Sequence, residues 1–275
     1  MSGVPNPSTS VRAVHVQQGR RLSVLPALPE ETAIAMVYEG STHAVMMASP
    51  ADLEDFATGF TLTEGIVERA EQIRQIDLVA HDRGVELQMW LEGDRGARLA
   101  ARRRTMAGPV GCGLCGIESL GQAVRDLPDC AGIGPRLGVA EMASATEALR
   151  RWQPLHDHTR AVHAAGFLVP GQGIALARED VGRHNALDKL IGALARGGLE
   201  AGTGAIVLTS RVSVEMVQKC AVAGCGMLIA VSAPTAHALR LAEGAGITLA
   251  ASARAGGFDL FSHPHRLQDE VADVA

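Results

Sequence analysis

The sequence has few aromatic residues and no excess of positive charge. Aromatic side chains make up 3% of the 275 residues, and the formal net charge is -5. Nucleic-acid binding through a basic surface needs many phosphate contacts from Lys and Arg, and binding of single strands adds rings on which bases stack. We therefore expect no nucleic-acid partner.

The chain also lacks long apolar runs and a paired set of cysteines. Its longest apolar runs, such as residues 227–231, are far shorter than a membrane span, and residues 1–20 hold no apolar core of a secretory signal. Five cysteines are an odd number in a long chain, which argues against a disulfide framework and for a reducing compartment. We expect a cytoplasmic protein without membrane contact.

The composition predicts a globular rather than a disordered protein, since 47% of the residues are hydrophobic and 20% are charged. We expect a flexible tail over residues 1–30 and an N-terminal α+β part over residues 31–138. A layered α/β domain should cover residues 139–275. Two strands at 33–38 and 43–48 should form a hairpin, and Ser49-Pro50 should start a helix.

The last third alternates short apolar strands with helices. Strands are expected at 205–209, 227–232 and 247–251, and helices at 213–223 and 235–243. A further helix should begin at Asn185, whose side chain suits a helix cap. Such alternation predicts right-handed crossovers and a parallel sheet covered on both faces.

Cys112 and Cys115 stand in a loop with four glycines and a proline, just before a predicted helix at 117–124. The thiolate is the reactive form of cysteine, and unpaired amides at a helix N-terminus stabilise it. Glycines let a partner's persulfide approach closely. Two thiols at this spacing can relay sulfur, one carrying a persulfide and the other assisting or resolving it.

Other uses of the pair are a structural zinc site and a thioredoxin-type redox pair. Zinc usually takes four ligands, and Cys130, Cys220 and Cys225 form no second pair at ligand spacing, so we expect no metal and treat these three as inert. Zinc-dependent base deaminases require a His-x-Glu sequence, and none of the ten histidines is followed two residues later by Glu. That class is therefore excluded.

Candidate anion-binding residues follow the predicted strands. Arg211, Ser232 and Arg254 come after successive strands, where ligands of an open parallel sheet bind. Helix N-termini and arginines attract phosphate there. The polar run at 179–185 adds Arg183 and His184 as candidates, because loops rich in ionisable groups often face a site.

Four motifs in order give the chain a marked family resemblance. They are Cys112-Gly113-Leu114-Cys115-Gly116, the run from Glu179 to Lys189, the run from Thr209 to Lys219, and Val231-Ser232-Ala233-Pro234-Thr235. Over residues 33–267 the sequence resembles the formate dehydrogenase accessory sulfurtransferases, the FdhD family.

The resemblance implies more than the residues alone. Members of that family take persulfide sulfur from a cysteine desulfurase. They pass it to the molybdenum (or tungsten) bis(molybdopterin guanine dinucleotide) cofactor of formate dehydrogenase. The resemblance also implies a cytidine-deaminase-like α/β/α fold without zinc, a homodimer, and Cys112 as the persulfide carrier. The cofactor-binding stretch would be Phe258, Asp259, Leu260, Phe261, Ser262 and His263.

Two other functions stay open at this point. One is a cofactor-binding chaperone without transfer chemistry, whose cysteines only hold the metal centre. The other is a thiol-disulfide oxidoreductase. The chaperone and the sulfur carrier need the same residues, so the sequence does not separate them.

Overall fold

The computed structural model describes residues 3–93, 126–254 and 256–268. The α-helices in these ranges are α1 (Leu53–Thr63), α2 (Val139–Arg150), α3 (Pro154–Thr159), α4 (Arg183–Arg196), α5 (Val214–Val222) and α6 (Ala236–Gly244). Short 3-10 helices are Ala70–Gln72, Ala201–Thr203 and Pro264–Arg266.

The strands of the N-terminal half are β1 (Ser8–Ser10), β2 (Ala13–Gln17), β3 (Arg20–Val24), β4 (Ala27–Pro29), β5 (Thr32–Tyr38), β6 (Ser41–Ala48), β7 (Ile73–His81) and β8 (Gly84–Leu91). Those of the C-terminal half are β9 (Leu137–Gly138), β10 (His163–Val169), β11 (Gly173–Asp180), β12 (Ala205–Leu208), β13 (Met227–Ala230), β14 (Thr248–Arg254), β15 (Gly257–Ser262) and β16 (Leu267–Gln268).

The first thirty residues contain four short strands, where the sequence predicts a tail without strands. β1 pairs with β4, and β2 pairs with β3 as a hairpin. The hairpin turns at Gln18 and Gly19, both with positive φ, as two-residue hairpin turns require. A Gln at the first of these positions is an unusual turn signal, which is why the hairpin is missed. Flexibility of this segment stays a prediction.

A four-stranded sheet of order β6-β5-β8-β7 follows. It confirms the hairpin predicted at 33–38 and 43–48, and the second hairpin, β7 and β8, matches strands that residues 76–80 and 85–91 predict. Helix α1 covers one face and buries Phe56 and Phe60 against Met36 and Leu87. The predicted helix start at Ser49 is wrong, because α1 begins at Leu53 after Asp52 in the left-handed conformation. Ser49 is instead engaged by the loop before α4, as described below.

The larger sheet has six strands in the order β11-β10-β12-β13-β14-β15. Its centre, β12 to β14, is parallel as predicted, and β10 and β11 form the hairpin that residues 161–177 predict. The β10–β12 and β14–β15 pairs are also antiparallel, which the predicted parallel sheet did not include. The reason is connection length: only residues 170–172 link β10 to β11 and only residues 255–256 link β14 to β15. A parallel crossover needs a dozen residues or more. The sheet is therefore mixed.

Helices cover both faces of this sheet. On one face α2 places Met142 and Leu149 against Val207 and Ile229. On the other face α4, α5 and α6 supply side chains to a second core around Ile206, Leu228 and Leu249. The predicted mixed α/β class is confirmed, while the division into parts at 31–138 and 139–275 stays a prediction.

Helices α1 and α4 join the two sheets through facing glycines. A Cβ atom at Gly59 would lie 1.7 Å from the Asp188 carbonyl oxygen, and one at Gly192 would lie 1.9 Å from the Asp55 carbonyl oxygen. No side chain fits at these distances, so the two backbones approach each other only because both positions are glycine.

Candidate functional site

The candidate site lies at the carboxyl ends of the parallel strands of the larger sheet, and this end of the sheet is called the cleft edge below. β12, β13 and β14 are parallel, so their carboxyl ends lie together. Thr209 and Val231 directly follow β12 and β13, and Arg254 is the last residue of β14. β10 runs antiparallel to β12, which brings His163 at its start to this same edge. Ligands of open α/β sheets bind outside the carboxyl ends of the strands.

A cleft of about 550 Å³ opens at this edge between the sheet and helices α2 and α3. Its lining residues are Thr146, Arg150, Gln153, His156, Arg160, Ala161, Val162, His163, Val181, Thr209 and Val231. Arginine, histidine, threonine and glutamine side chains supply its polar atoms, and these can donate to an anionic group. The volume is within the range of small-molecule sites.

Charges around the cleft are partly compensated. Arg150 makes an ion pair with Asp157, and Arg160 Nη1 lies 3.8 Å from the same carboxylate. His156 Nδ1 is 3.1 Å from the Val162 carbonyl oxygen, which fixes the ring. Burial lowers the pKa of His163, and the neighbouring Arg183 adds to this effect, so His163 is neutral at pH 7.

Two helix N-termini beside the cleft hold buried polar atoms without partners. Arg183 and His184 open α4, and Ser213 precedes α5. Among the described residues, Arg183 Nε, His184 Nε2 and Ser213 Oγ are buried without a hydrogen-bond partner. An unmade buried hydrogen bond costs about 1–3 kcal/mol, so such groups call for a ligand or a functional role.

Glu215 connects these two helices electrostatically. Its Oε2 lies 3.8 Å from His184 Nε2, which is ion-pair distance and too long for a hydrogen bond. The His184 side chain beside it lowers the pKa of the Glu215 carboxyl to about 2, although burial opposes this effect. Glu215 is therefore ionised at any physiological pH.

Most of the polar run at 179–185 serves structure rather than the cleft. Asp180 Oδ2 pairs with Lys189 Nζ at 2.6 Å and accepts the Ser49 amide at 3.0 Å. The Val181 amide donates to Ser49 Oγ. Asn185 is not the helix cap that the sequence predicts, because Gly182 takes that position and Asn185 Nδ2 donates to Met47 O and Asp180 Oδ1.

A second buried ion pair contains Asp188, the residue directly before Lys189 on α4. Lys219 Nζ of α5 is 2.9 Å from Asp188 Oδ1 of α4 and 2.9 Å from Thr63 Oγ1 of α1. These groups satisfy one another, so the pair joins three helices and leaves no atom for a ligand. In the run from Glu179 to Asn185, only Arg183 Nε and His184 Nε2 are buried without a hydrogen-bond partner, and His184 Nε2 is 3.8 Å from Glu215 Oε2.

The other predicted binding residues do not all lie at the cleft edge, because some lie along strand β15 and reach the opposite end of the sheet. Arg211 and Arg254 are exposed at the edge that holds the cleft, and Ser232 is half-buried there. Phe258, Asp259, Leu260, Phe261 and Ser262 lie along the edge strand β15, with His263 directly after it. Asp259 is opposite Ala251 near the cleft edge, whereas Ser262 is opposite Leu249.

The last two residues of that stretch make hydrogen bonds within the protein. Ser262 Oγ donates a hydrogen bond to the Ile247 carbonyl oxygen at 2.7 Å and accepts one from the Leu249 amide. His263 Nε2 is 2.8 Å from the Glu243 carbonyl oxygen. The six residues thus span about 17 Å of strand, and the structure does not gather them around one point. Whether they bind a cofactor stays a prediction.

Cys112 and Cys115 lie outside the described residues, in the range 94–125. Cys130, Cys220 and Cys225 are buried, as predicted. Burial raises the pKa of Cys225 to about 11 and that of Cys220 well above its usual value. These three thiols are protonated at neutral pH and poor nucleophiles, which leaves the paired cysteines as the candidates for sulfur chemistry.

Sequence reasoning missed several residues of the site. His156 and His163 line the cleft with Arg150 and Arg160, and Glu215 lies beside His184. A cluster of three histidines within residues 156–163 is a signal that was present in the sequence. His163 reaches the cleft edge because β10 pairs antiparallel with β12. The sequence did not predict that pairing.

Within residues 3–93, 126–254 and 256–268, no group of three or more His, Cys, Asp and Glu side chains is placed to hold a metal ion. The expectation that no zinc is bound stays a prediction, because the cysteine pair is outside these ranges. No helix in the described part of the chain is long and apolar enough to cross a membrane.

Comparison with known proteins gives a consistent result. A profile of the FdhD/NarQ family matches residues 29–268. The chain is 52% identical to the sulfur carrier protein FdhD of Agrobacterium fabrum over 241 residues, 88% of this chain and 89% of that protein. It is 48% identical to the sulfur carrier protein FdhD of Cupriavidus necator over 267 residues, 97% and 92% of the two chains.

A solved structure from Desulfotalea psychrophila, described as a formate dehydrogenase accessory protein, has a similar fold. Its TM-score is 0.76 at 25% sequence identity, and the match covers 95% of this chain and 99% of that one.

Proposed function

The chain belongs to the FdhD/NarQ family, and from this membership we propose that it is a sulfur carrier of formate dehydrogenase maturation. In this proposal it is a cytoplasmic homodimer that accepts sulfur from a cysteine desulfurase. It delivers that sulfur to the molybdenum (or tungsten) bis(molybdopterin guanine dinucleotide) cofactor. A cytidine-deaminase-like layering of the larger domain belongs to the same proposal.

Sulfur loading is assigned to Cys112. Its thiolate attacks the terminal sulfur of the desulfurase persulfide, an S–S bond forms at Cys112, and the desulfurase cysteine leaves as a thiolate. Delivery as sulfide needs two electrons. Attack of the Cys115 thiolate on the Cys112 sulfur supplies them, because it forms a Cys112–Cys115 disulfide and releases sulfide to the cofactor.

One observation supports an anionic nucleotide substrate more than any other. Arg183 Nε, His184 Nε2 and Ser213 Oγ are buried without a hydrogen-bond partner, at two helix N-termini beside a cleft of about 550 Å³. Glu215 is at ion-pair distance from His184, so Arg183 Nε carries most of this argument. Phosphate satisfies such donors and is attracted by helix N-termini. The guanidinium of Arg183 adds positive charge for the same group.

The test follows labelled sulfur. The chain is incubated with a cysteine desulfurase, labelled cysteine and the unsulfurated cofactor, and label is measured in the re-isolated cofactor. We expect transfer by the wild type and none by Cys112→Ala, with Cys225→Ala as a matched cysteine control that transfers normally. Cofactor binding without label transfer by the wild type would favour the chaperone, and disulfide formation without sulfur gain would favour the oxidoreductase.

A further inference from the structure

His163 lies where the basic side chains of the cleft converge. It is the first residue of β10, is half-buried and lines the cleft. The basic side chains around it come from α2, from α3 and its end, and from the start of α4, and they are Arg150, His156, Arg160, Arg183 and His184. Three of these, Arg183, His156 and His184, act on the His163 ring electrostatically. A ring in this position responds to any charge that enters the cleft.

The carboxylates near the cleft are held by other groups. Each has a partner within the protein, and they are Asp157, Glu179, Asp180 and Glu215. Asp180 is opposite His163 in the β10–β11 ladder, but its Oδ2 lies 2.6 Å from Lys189 Nζ. Both carboxylate oxygens of Glu179 accept backbone amide hydrogens of α3 at 2.8 Å. These partners leave the His163 ring without a counter-ion among the described residues.

Burial and the surrounding basic groups keep His163 uncharged. Burial lowers the pKa of His163 most, and Arg183, His156 and His184 lower it further. A neutral imidazole has one N–H donor and one unprotonated nitrogen, which only accepts. The neutral ring therefore offers one donor to a phosphate group. An anion in the cleft opposes the effect of the basic groups and favours the imidazolium, in which both nitrogens donate.

The backbone beside His163 is anchored on both sides. The Ala164 amide donates to Thr209 Oγ1 at 2.9 Å, and the Thr209 amide donates to the Ala164 carbonyl oxygen at 3.1 Å. On its other side, His163 itself pairs with Asp180 of β11. Because this strand end is held in place, a charge that enters the cleft acts on the protonation of the ring rather than on the position of the strand.

We propose that His163 is a binding residue of the cleft that takes up one proton from solvent when an anionic nucleotide binds. The proton goes to the unprotonated ring nitrogen, no other bond forms or breaks, and the imidazolium donates to a phosphate oxygen. This inference rests on the proposed function, because it needs the nucleotide part of the cofactor to lie in the cleft. It adds that the cleft binds this ligand together with a proton.

Proton uptake gives the affinity a defined dependence on pH. The pKa of His163 is higher with the anion than without it, so the complex holds more protons than the free chain and the affinity rises as the pH falls. One coupled proton changes the dissociation constant by at most about tenfold per pH unit. GDP-mannose is the suitable probe, because its pyrophosphate is a diester, whereas the terminal phosphate of GDP itself titrates near about pH 6.

Calorimetry of GDP-mannose binding, repeated in buffers of different ionisation enthalpy, measures the protons taken up. The wild type should take up protons near pH 7, and its dissociation constant should rise about three- to tenfold from pH 6 to pH 7. His163→Gln keeps a donor but does not titrate, so it should take up none and change less than about twofold. His158→Gln is the matched control, since His158 is exposed on α3 outside the cleft lining, and it should behave like the wild type.

NMR of isotope-labelled histidine tests the same claim in the wild type, without any substitution. The His163 signal should titrate at a lower pH than the His158 signal in the free chain, and at a higher pH with GDP-mannose than without it. Binding without proton uptake, or uptake that His163→Gln retains, would overturn the role of His163 and leave the nucleotide site in place. No binding of GDP-mannose at any pH would overturn the nucleotide site and this inference together.

Discussion

Asp180 and Lys189 form an ion pair with no exposed surface on either side chain, and Lys189 Nζ lies 2.6 Å from Asp180 Oδ2. Lys189 Nζ also donates to the Ser49 carbonyl oxygen at 2.9 Å. The pair thus connects the end of β6 in the smaller sheet to β11 and α4 in the larger one. Both residues belong to the family motif from Glu179 to Lys189, and the pair fixes the position of the two sheets relative to each other.

Replacing Lys189 by Met should destabilise the chain by about 3–5 kcal/mol, because it leaves the Asp180 carboxylate buried without its cation. Urea unfolding followed by circular dichroism measures this loss. Glu86→Gln at the solvent-exposed His81–Glu86 pair, 3.5 Å apart, is the control and should cost less than about 1 kcal/mol. Equal losses in both variants would show that the buried pair has no special role.

Gly59→Ala should destabilise the chain by about 1–3 kcal/mol or more, since the added Cβ meets the Asp188 carbonyl oxygen at 1.7 Å and must push α1 away from α4. Gly132→Ala is the control, because no atom lies within 4 Å of its Cβ position. Thermal unfolding of both variants is the measurement. If Gly59→Ala unfolds at the wild-type temperature, the close helix contact is not as described.

Much of this fold is readable from the sequence. Apolar periodicity and turn residues locate the hairpins of the smaller sheet and the strands and helices from residue 183 onward, with boundaries wrong by a few residues. The outer strand β15 was not predicted as a strand, because its residues were interpreted as a binding stretch. Strand direction at the sheet edges depends on connection length, which the pattern of apolar residues does not encode.

The site was harder to predict for a physical reason. Asp180, Asn185 and Lys189 have the residue types of a ligand-binding loop, and only their partners, Ser49 and Met47 far away in the chain, show that they are structural. His163 and Glu215 become site residues through strand direction and helix packing. Charged residues in a motif therefore identify the region but not which of them face a ligand.

Glu215 should make stability depend on pH in a defined window. Its folded pKa, about 2, is below the usual value of 4.5. A depressed carboxyl pKa contributes stability that is present above 4.5 and is lost as the pH falls toward about 2. The difference in unfolding free energy between the wild type and Glu215→Gln should shrink as the pH falls across this window. A constant difference down to pH 2 would contradict the assignment.

Guanine nucleotide should bind at the cleft edge. Calorimetry with GDP compares the wild type with Arg183→Ala, Arg211→Ala and Arg254→Ala. Loss of one arginine–phosphate contact costs about 1.5–3 kcal/mol, roughly a ten- to hundredfold weaker affinity. Arg136→Ala is the control, because Arg136 lies apart from the cleft and contacts the His265 carbonyl oxygen. Wild-type affinity in all three test variants would show that the nucleotide binds elsewhere on the protein.

The central claim is that Cys112 carries the sulfur, and intact mass after incubation with a cysteine desulfurase and cysteine tests it most directly. The wild type should gain one sulfur atom that a thiol reductant removes, and peptide mapping should place it on Cys112. Cys112→Ala should gain none, while Cys130→Ala, Cys220→Ala and Cys225→Ala should load like the wild type, since their buried thiols are protonated. A Cys112→Ala variant that still gains the reducible sulfur would contradict the account.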